Sequence, residues 1–291
     1  MFRVLKVRTL IGSFGWLLSA AFAAADPPSA AHESLQSTLW MQTSLEYPML
    51  TRQTYAAASE RLPDLIRDRS HTAAVEQVDG YQDLPPAVIM DVDETVLDNS
   101  AYQARTILAG GSYDPETWAA WVEQSAAAVV PGAAEFIHFA AGHGVAVFFV
   151  TNRDAGGKSA TLANLRRELQ IPIPTDRVLC KGERPEWTSD KSSRRSRVAS
   201  THRIVMLIGD DVNDFVTLTG GDPTDPSDRY LAPARRARVG ATFATRFGRS
   251  WFLLPNPNYG SWDAALLVDS DASDRESQLS VKRQQLQPEG R

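Results

Sequence analysis

Three continuous apolar runs, each ending in a polar residue, constrain the fold of this chain more than any other feature. Ala87-Val88-Ile89-Met90 leads into Asp91, Val145-Ala146-Val147-Phe148-Phe149-Val150 into Thr151, and Ile204-Val205-Met206-Leu207-Ile208 into Gly209-Asp210-Asp211. Runs that are apolar throughout and rich in β-branched or aromatic residues read as strands covered on both faces, because a strand with one wet face alternates. Helical patterns occupy the intervals: Glu116 to Gln124, Pro131 to about Ala141, Gly157 to Leu169 and Lys191 to Ser200. Alternating strands and helices predict an α/β fold, a parallel sheet flanked by helices on both faces, with its ligand crevice at the carboxyl ends of the strands. Trp251-Phe252-Leu253-Leu254, closed by Pro255-Asn256-Pro257-Asn258, is a further candidate strand.

The flanking segments differ in character. Arg3, Lys6 and Arg8 precede an apolar run from Thr9 to Ala23, and Ala21-Phe22-Ala23 and Ala23-Ala24-Ala25 offer small-residue exits before Asp26. That is the pattern of a signal peptide over residues 1–25, cleaved after Ala23 or Ala25. The run is shorter than the roughly 20 residues of a spanning helix. A soluble periplasmic or secreted protein without a stable membrane anchor is expected. The single cysteine, Cys180, precludes an intramolecular disulfide. Residues 26–80 read as an N-terminal helical extension, one or two amphipathic helices broken at Pro48. Residues 81–268 read as the core, with a small helical cap inserted around 98–128. Residues 269–291 read as a polar surface helix or loose tail. A net charge of -5 with dispersed Lys and Arg offers no field for a nucleic acid polymer.

Chemistry concentrates where the strands end. Asp91 and Asp93, two positions apart just past a buried strand, project to the same side of the chain. Such a pair is costly without a cation. It can bind a divalent metal and divide its labour, one acid ionised as nucleophile and the other protonated as general acid. The bland alternative is a solvated turn. Asp210 and Asp214 form a second acidic cluster with the hard oxygens that Mg²⁺ prefers, although Asp211 and Asn213 equally suit a helix N-cap. Thr151 offers a hydroxyl and nearby N–H groups for phosphate oxygens. Lys191, 19 residues before Asp210, supplies the fixed positive charge that phosphoryl transfer needs. Arg194, Arg195 and Arg197 read as a solvated helix face.

In that order, Asp91/Asp93, Thr151, Lys191 and Asp210/Asp214 resemble the four motifs of the haloacid-dehalogenase (HAD) superfamily. The acid at position 93 resembles its phosphatase branch. Leu39-Trp40-Met41-Gln42-Thr43-Ser44, Asp98-Asn99-Ser100-Ala101-Tyr102, Thr151-Asn152-Arg153 and Leu254-Pro255-Asn256-Pro257-Asn258-Tyr259-Gly260-Ser261-Trp262 are similar to strings of the class C acid phosphatases, which include the lipoprotein e nucleotidases. The lipid-bearing cysteine is missing here, so membrane anchoring is not implied. What the resemblance implies is a Rossmann-like HAD fold and a Mg²⁺-dependent acid phosphatase. Asp91 would attack phosphorus to give an aspartyl-phosphate, and Asp93 would protonate the leaving alcohol and then activate water. Mg²⁺ would be held by Asp91, the carbonyl of Asp93 and Asp210, with Asp214 orienting the metal shell or holding Lys191. Thr151, the following N–H at Asn152 and Lys191 would hold the phosphoryl oxygens. The implied substrates are small phosphomonoesters, with nucleoside monophosphates as one class and sugar phosphates as the alternative. Tyr102 and Tyr259 are the candidate contacts to the leaving group, whereas Trp118 and Trp121, at helical spacing, equally suit packing of the cap. A secreted binding protein without turnover is the reading from another class, but such a protein could dispense with its nucleophile.

Overall fold

The three apolar runs form the centre of a five-stranded sheet. The structure is a computed structural model that describes residues 32–218, 233–268 and 270–288, so the expected signal peptide lies outside the described residues. The strands are β1 (Pro86–Met90), β2 (Leu97–Asp98), β3 (Ala128–Val129), β4 (Ala146–Asp154), β5 (Val178–Lys181), β6 (Arg203–Gly209) and β7 (Trp251–Leu253). The main sheet has the order β5-β4-β1-β6-β7 and every pairing in it is parallel. β1 lies in the middle, so the chain builds outward on one side through β4 and β5 and then crosses to β6 and β7. The carboxyl ends of β1 and β6 therefore flank the switch point, where open α/β sheets bind ligands.

Both faces are covered, as the absence of alternation predicts. Val88 and Met90 of β1 and Val147 and Phe149 of β4 pack on one side with Tyr55, Leu62, Phe136 and Leu165. Ile89, Phe148, Val150 and Leu207 pack on the other with Phe215 and Trp251. Each such side chain contributes about 1.5–3 kcal/mol relative to exposure. The helices are α1 (Leu35–Thr43), α2 (Glu46–Arg67), α3 (Ser100–Leu108), α4 (Pro115–Glu123), α5 (Ala133–Gly142), α6 (Lys158–Leu169), α7 (Ser192–Ala199), α8 (Pro233–Phe243), α9 (Ser261–Ala264) and α10 (Arg275–Gln284).

The amino-terminal extension is two helices, but Pro48 does not separate them. The chain breaks at Ser44, whose backbone is extended and whose Oγ accepts the N–H of Tyr47 at 3.1 Å. Pro48 sits in the first turn of α2, where its missing N–H leaves no intrahelical bond unmade. The buried residues of α2 are Tyr47, Thr51, Tyr55, Ala58, Leu62 and Leu65, a stripe recurring every three or four positions. Tyr55 Oη donates to the carbonyl of Thr95 at 2.7 Å, tying this stripe to the loop after β1.

β2 and β3 pair antiparallel, Leu97 opposite Val129 and Asp98 opposite Ala128. This ribbon encloses residues 99–127, which carry α3 and α4. Asp114 caps α4 by accepting from Glu116 N and Thr117 N, with Pro115 at the first position. In the polar tail α10 buries none of its residues, and Lys282 Nζ lies 2.9 Å from Asp263 and 3.1 Å from Glu33. Among the described residues no helix is long and apolar enough to cross a membrane.

Candidate active site

Asp91 follows β1, Thr151 lies in β4, Lys191 stands at the N-cap of α7 and Asp210 follows β6, so the sheet and its first crossovers bring these residues together. The ammonium of Lys191 bonds Asp91 Oδ1 and, at 2.6 Å, Asp214 Oδ1. Asp214 Oδ2 in turn accepts the N–H of Asp211 at 3.0 Å. Gly209 is required for this approach, since a Cβ there would collide with the carboxylate of Asp214. Asp210 accepts from Thr95 Oγ1 at 3.2 Å and from Asn256 Nδ2 at 2.8 Å. One carboxylate oxygen from each of Asp91, Asp210 and Asp214 lies within 4.8 Å of the others.

Asp91 and Asp214 share Lys191 while Asp210 stands beside them without it, and their proton affinities reflect this crowding of carboxylates. Burial pushes the Asp91 carboxyl up to about 7, with Lys191 opposing and Asp214 and Asp93 adding to the rise. Burial raises Asp210 well above the usual carboxylate range, reinforced by Asp91 and Asp214. Burial works against the Lys191 ammonium, but Asp214 and Asp91 outweigh it and raise its pKa. An all-oxygen, largely buried donor set short of positive charge fits a hard divalent cation.

Asp93 stands apart from this trio. Its Oδ1 accepts from Arg153 Nε at 2.9 Å and Asn99 Nδ2 at 2.9 Å, and its Oδ2 accepts from Thr151 Oγ1 at 3.3 Å. The side chain of Asn152 is committed to protein partners, donating to the carbonyl of Ser189 at 3.0 Å and accepting from Arg194 at 2.7 Å.

One expectation about α7 needs correction. Arg194 and Arg195 are not a solvated face; both are 0 % exposed, while Arg197 is exposed. Arg194 donates to the carbonyls of Thr151 and Thr188. Arg195 pairs with Glu76 and donates to the carbonyls of Asn213 and Asp214. They brace the loops on either side of Lys191, which explains why charges are buried there. Tyr102, the candidate contact to the leaving group, is packed against α4. It is 3 % exposed, its ring centroid is 5.1 Å from that of Trp118, and its hydroxyl meets Thr117 Oγ1 at 3.2 Å. Tyr259 is half-buried and its hydroxyl donates to Glu94.

Glu94, Asn99, Arg153 and Asn256 belong to the site, though no periodicity or spacing singles them out. Glu94 is fully buried at a φ of 55°, in the left-handed region. It accepts the N–H of Asn99 at 2.9 Å, and burial, with Asp93 and Asp98, raises its carboxyl well above the usual range. Asn258 Oδ1 accepts from Ser37 Oγ at 2.5 Å and Thr38 Oγ1 at 3.1 Å, so α1 docks on the loop that carries Asn256 and Tyr259.

A raised acid contributes stability below its unfolded pKa and loses it as pH rises through the folded value. Asp91, Asp210 and Glu94 are all raised, so stability without a divalent cation is expected to fall from about pH 4 upward through about 7. His71 and His202, lowered by burial, act oppositely near their ordinary pKa, but only the acids shift far. Thermal melts in chelator should show a lower Tm at about pH 8 than at about pH 5, and a divalent cation should narrow the gap. A Tm in chelator that climbs across this interval contradicts the assignment.

The profile of the HAD superfamily, subfamily IIIB (acid phosphatase), matches residues 19–262. The chain is similar to the class C acid phosphatase from Bacillus anthracis, with 29 % identity and a TM-score of 0.70 over 87 % of this chain and 96 % of that one. It is similar to the same class C enzyme with tungstate bound at 28 % identity and a TM-score of 0.71, with equal coverage. Fold and site thus define a phosphomonoester hydrolase. The chain belongs to subfamily IIIB of the HAD superfamily, the acid phosphatases.

Proposed function

We propose that this phosphatase works through an aspartyl-phosphate on Asp91 and depends on Mg²⁺, and that its substrates are small phosphomonoesters, nucleoside monophosphates first among them. The observation that carries this reading is the division between Asp91, buried against Lys191 beside Asp210 and Asp214, and Asp93, held separately by Arg153 and Asn99.

Asp91, Asp210 and the backbone carbonyl of Asp93 would hold Mg²⁺, which supplies positive charge for the phosphoryl oxygens when bound. Asp214 keeps Lys191 in place through its 2.6 Å bond. Lys191, the Thr151 hydroxyl and the N–H at Asn152 receive the remaining phosphoryl oxygens. A carboxylate oxygen of Asp91 attacks phosphorus as the ester P–O bond breaks, and Asp93 gives its proton to the departing alcohol oxygen. Asp93 then takes a proton from water as that water displaces the phosphoryl group from Asp91, which restores both acids. The similar class C enzyme binds tungstate, a tetrahedral oxyanion, and that supports an oxyanion cradle in this chain too.

Tyr259, with its hydroxyl fixed on Glu94, is only partly buried beside the loop of the dyad. Stacking a base on such a ring contributes about 1–3 kcal/mol, which favours a nucleoside leaving group over a sugar. We place the mature protein outside the cytoplasm on the strength of the leader-like residues 1–25; an intact Met1 on the cellular protein, read by mass spectrometry, would count against this.

Phosphate release from a nucleoside monophosphate, a sugar phosphate and an aryl phosphate, with Mg²⁺ and with excess chelator, tests the reading. All three are expected to be hydrolysed, the nucleotide with the highest kcat/KM of the two alkyl esters, with activity abolished by chelator and restored by Mg²⁺. Full activity in excess chelator would falsify the metal dependence.

A further inference from the structure

Arg153 and Trp121 belong to a buried array around Asp93 to which the chemistry above assigns no role. Asp93 Oδ1 accepts from Arg153 Nε at 2.9 Å and Asn99 Nδ2 at 2.9 Å, and Arg153 Nη2 lies 2.8 Å from the same oxygen. Among the described residues, Oδ2 meets only the Thr151 hydroxyl, at 3.3 Å. The guanidinium is itself held on every side. Nη1 donates to Thr161 Oγ1 and Nη2 to Asn99 Oδ1, both at 3.3 Å, and its carbon lies 5.7 Å from the Trp118 ring centre. Arg153 is 2 % exposed.

The orientation of Asn99 is fixed from α4. Trp121 Nε1 donates to Asn99 Oδ1 at 2.8 Å, and an indole N–H can only donate. The amide oxygen must therefore face Trp121, which turns the NH₂ group toward Asp93 and Glu94. A reversed amide would put its donors against the indole N–H and its oxygen against two carboxyl groups.

We propose that Arg153 and Asn99, the latter set by Trp121 of the inserted helix α4, form a clamp that holds Asp93 by Oδ1 and so fixes Oδ2 as the oxygen presented to the leaving group. This rests on the role of Asp93 proposed above. N–H donors fill Oδ1, which leaves Oδ2, the oxygen beside Thr151, as the one placed to exchange a proton with the leaving oxygen. In the first step Asp91 forms its bond to phosphorus and the ester P–O bond breaks, its electron pair passing to the leaving oxygen. That oxygen takes the proton from Oδ2, leaving Asp93 as a carboxylate with Oδ1 still clamped. Arg153, Asn99 and Trp121 are positioning residues, since none is assigned a contact with the substrate. Through Trp121 the inserted segment is thereby coupled to proton delivery. A lysine at position 153 cannot reproduce the array, because a point ammonium lacks the planar fork that meets Asp93, Thr161 and Asn99 together.

The test is the first chemical step, followed by quenched flow with an alkyl and an aryl phosphate. An aryl leaving group departs with little protonation, so a misplaced proton donor penalises the alkyl ester selectively. Arg153→Lys is expected to slow the alkyl ester by about 10²-fold and the aryl ester by only a few-fold, with substrate affinity little changed. In an Asp93→Asn background the same substitution should no longer alter the alkyl-to-aryl ratio. Trp121→Phe, which keeps an aromatic ring and removes the indole N–H, should move the ratio in the same direction by a smaller factor, and it carries the test should the Arg153→Lys protein prove unstable. Equal losses for both esters in these variants overturn the clamp while leaving the phosphatase reading intact. A wild-type protein that hydrolyses neither ester sinks that reading instead.

Discussion

Asp91→Asn is expected to reduce turnover by on the order of 10⁴-fold or more and to eliminate any phosphorylated enzyme. The carboxylate oxygen that would bond phosphorus is buried against Lys191 at the end of β1, and a carboxamide is a far weaker nucleophile in the same place. The fold should survive. Burial already pushes the Asp91 carboxyl up to about 7, so removing its charge relieves a desolvation cost even as Lys191 loses one of its two carboxylate partners. Phosphate release under saturating substrate, paired with a thermal melt, distinguishes the outcomes. A folded Asp91→Asn protein that retains substantial activity would mean that the nucleophile lies elsewhere.

The second large effect is expected from Asp93→Asn, and its signature is selectivity rather than size alone. Attack by Asp91 remains possible, but no acid stands ready for the leaving oxygen. Loss of general acid catalysis should cost about 10²–10⁴-fold for an alkyl ester such as a nucleotide, and much less for an aryl ester. Water activation in the second step suffers too, so phosphorylated enzyme should accumulate and blunt the contrast in steady state. Single-turnover rates with both esters separate the steps. If the first step slows equally for both, Asp93 does not protonate the leaving group.

Much of this arrangement is legible from the residues because strand ends announce themselves. An apolar run that stops at Asp, Thr or Gly-Asp-Asp marks both a buried strand and the edge where it meets solvent, and three of them in order locate Asp91, Thr151 and Asp210. Local patterns fail where the decisive partner is distant in sequence. Arg194 and Arg195 read as a wet helix face because their neighbours in α7 are polar; what buries them are carbonyls of the 151, 188 and 213–214 loops and the carboxylate of Glu76. Pro48 reads as a helix break, but in the first turn of α2 a proline costs nothing, and Ser44 makes the break through its own cap. The edge strand β5 is not legible because four residues after a proline-rich turn carry too little periodicity.

The supporting acids and amides are illegible for a related reason. Asn99 and Arg153 sit inside strings that resemble the acid phosphatases, yet a lone amide or arginine has no spacing that predicts a partner. Their contacts span separations of 54 residues between Arg153 and Asn99 and 60 between Arg153 and Asp93. Glu94 and Tyr259 are 165 residues apart. Tyr102 is legible as an aromatic near the dyad, but not as one already committed to Trp118 and Thr117. Only the folded sheet and the ribbon of β2 and β3 bring these groups together.

The most direct measurement is to trap and map the phosphoryl group. Wild-type protein and the Asp93→Asn variant are mixed with an aryl phosphate and Mg²⁺, quenched in acid within the first turnover, digested and analysed by mass spectrometry. The account predicts a hydroxylamine-labile acyl phosphate on the peptide containing residues 86–98, located on Asp91, more abundant in the Asp93→Asn variant and absent after Asp91→Asn. Turnover without any phosphorylated peptide, with inversion at a phosphorus made chiral by oxygen isotopes rather than the retention that two successive displacements give, would instead mean that water attacks the ester directly and that Asp91 is not the nucleophile.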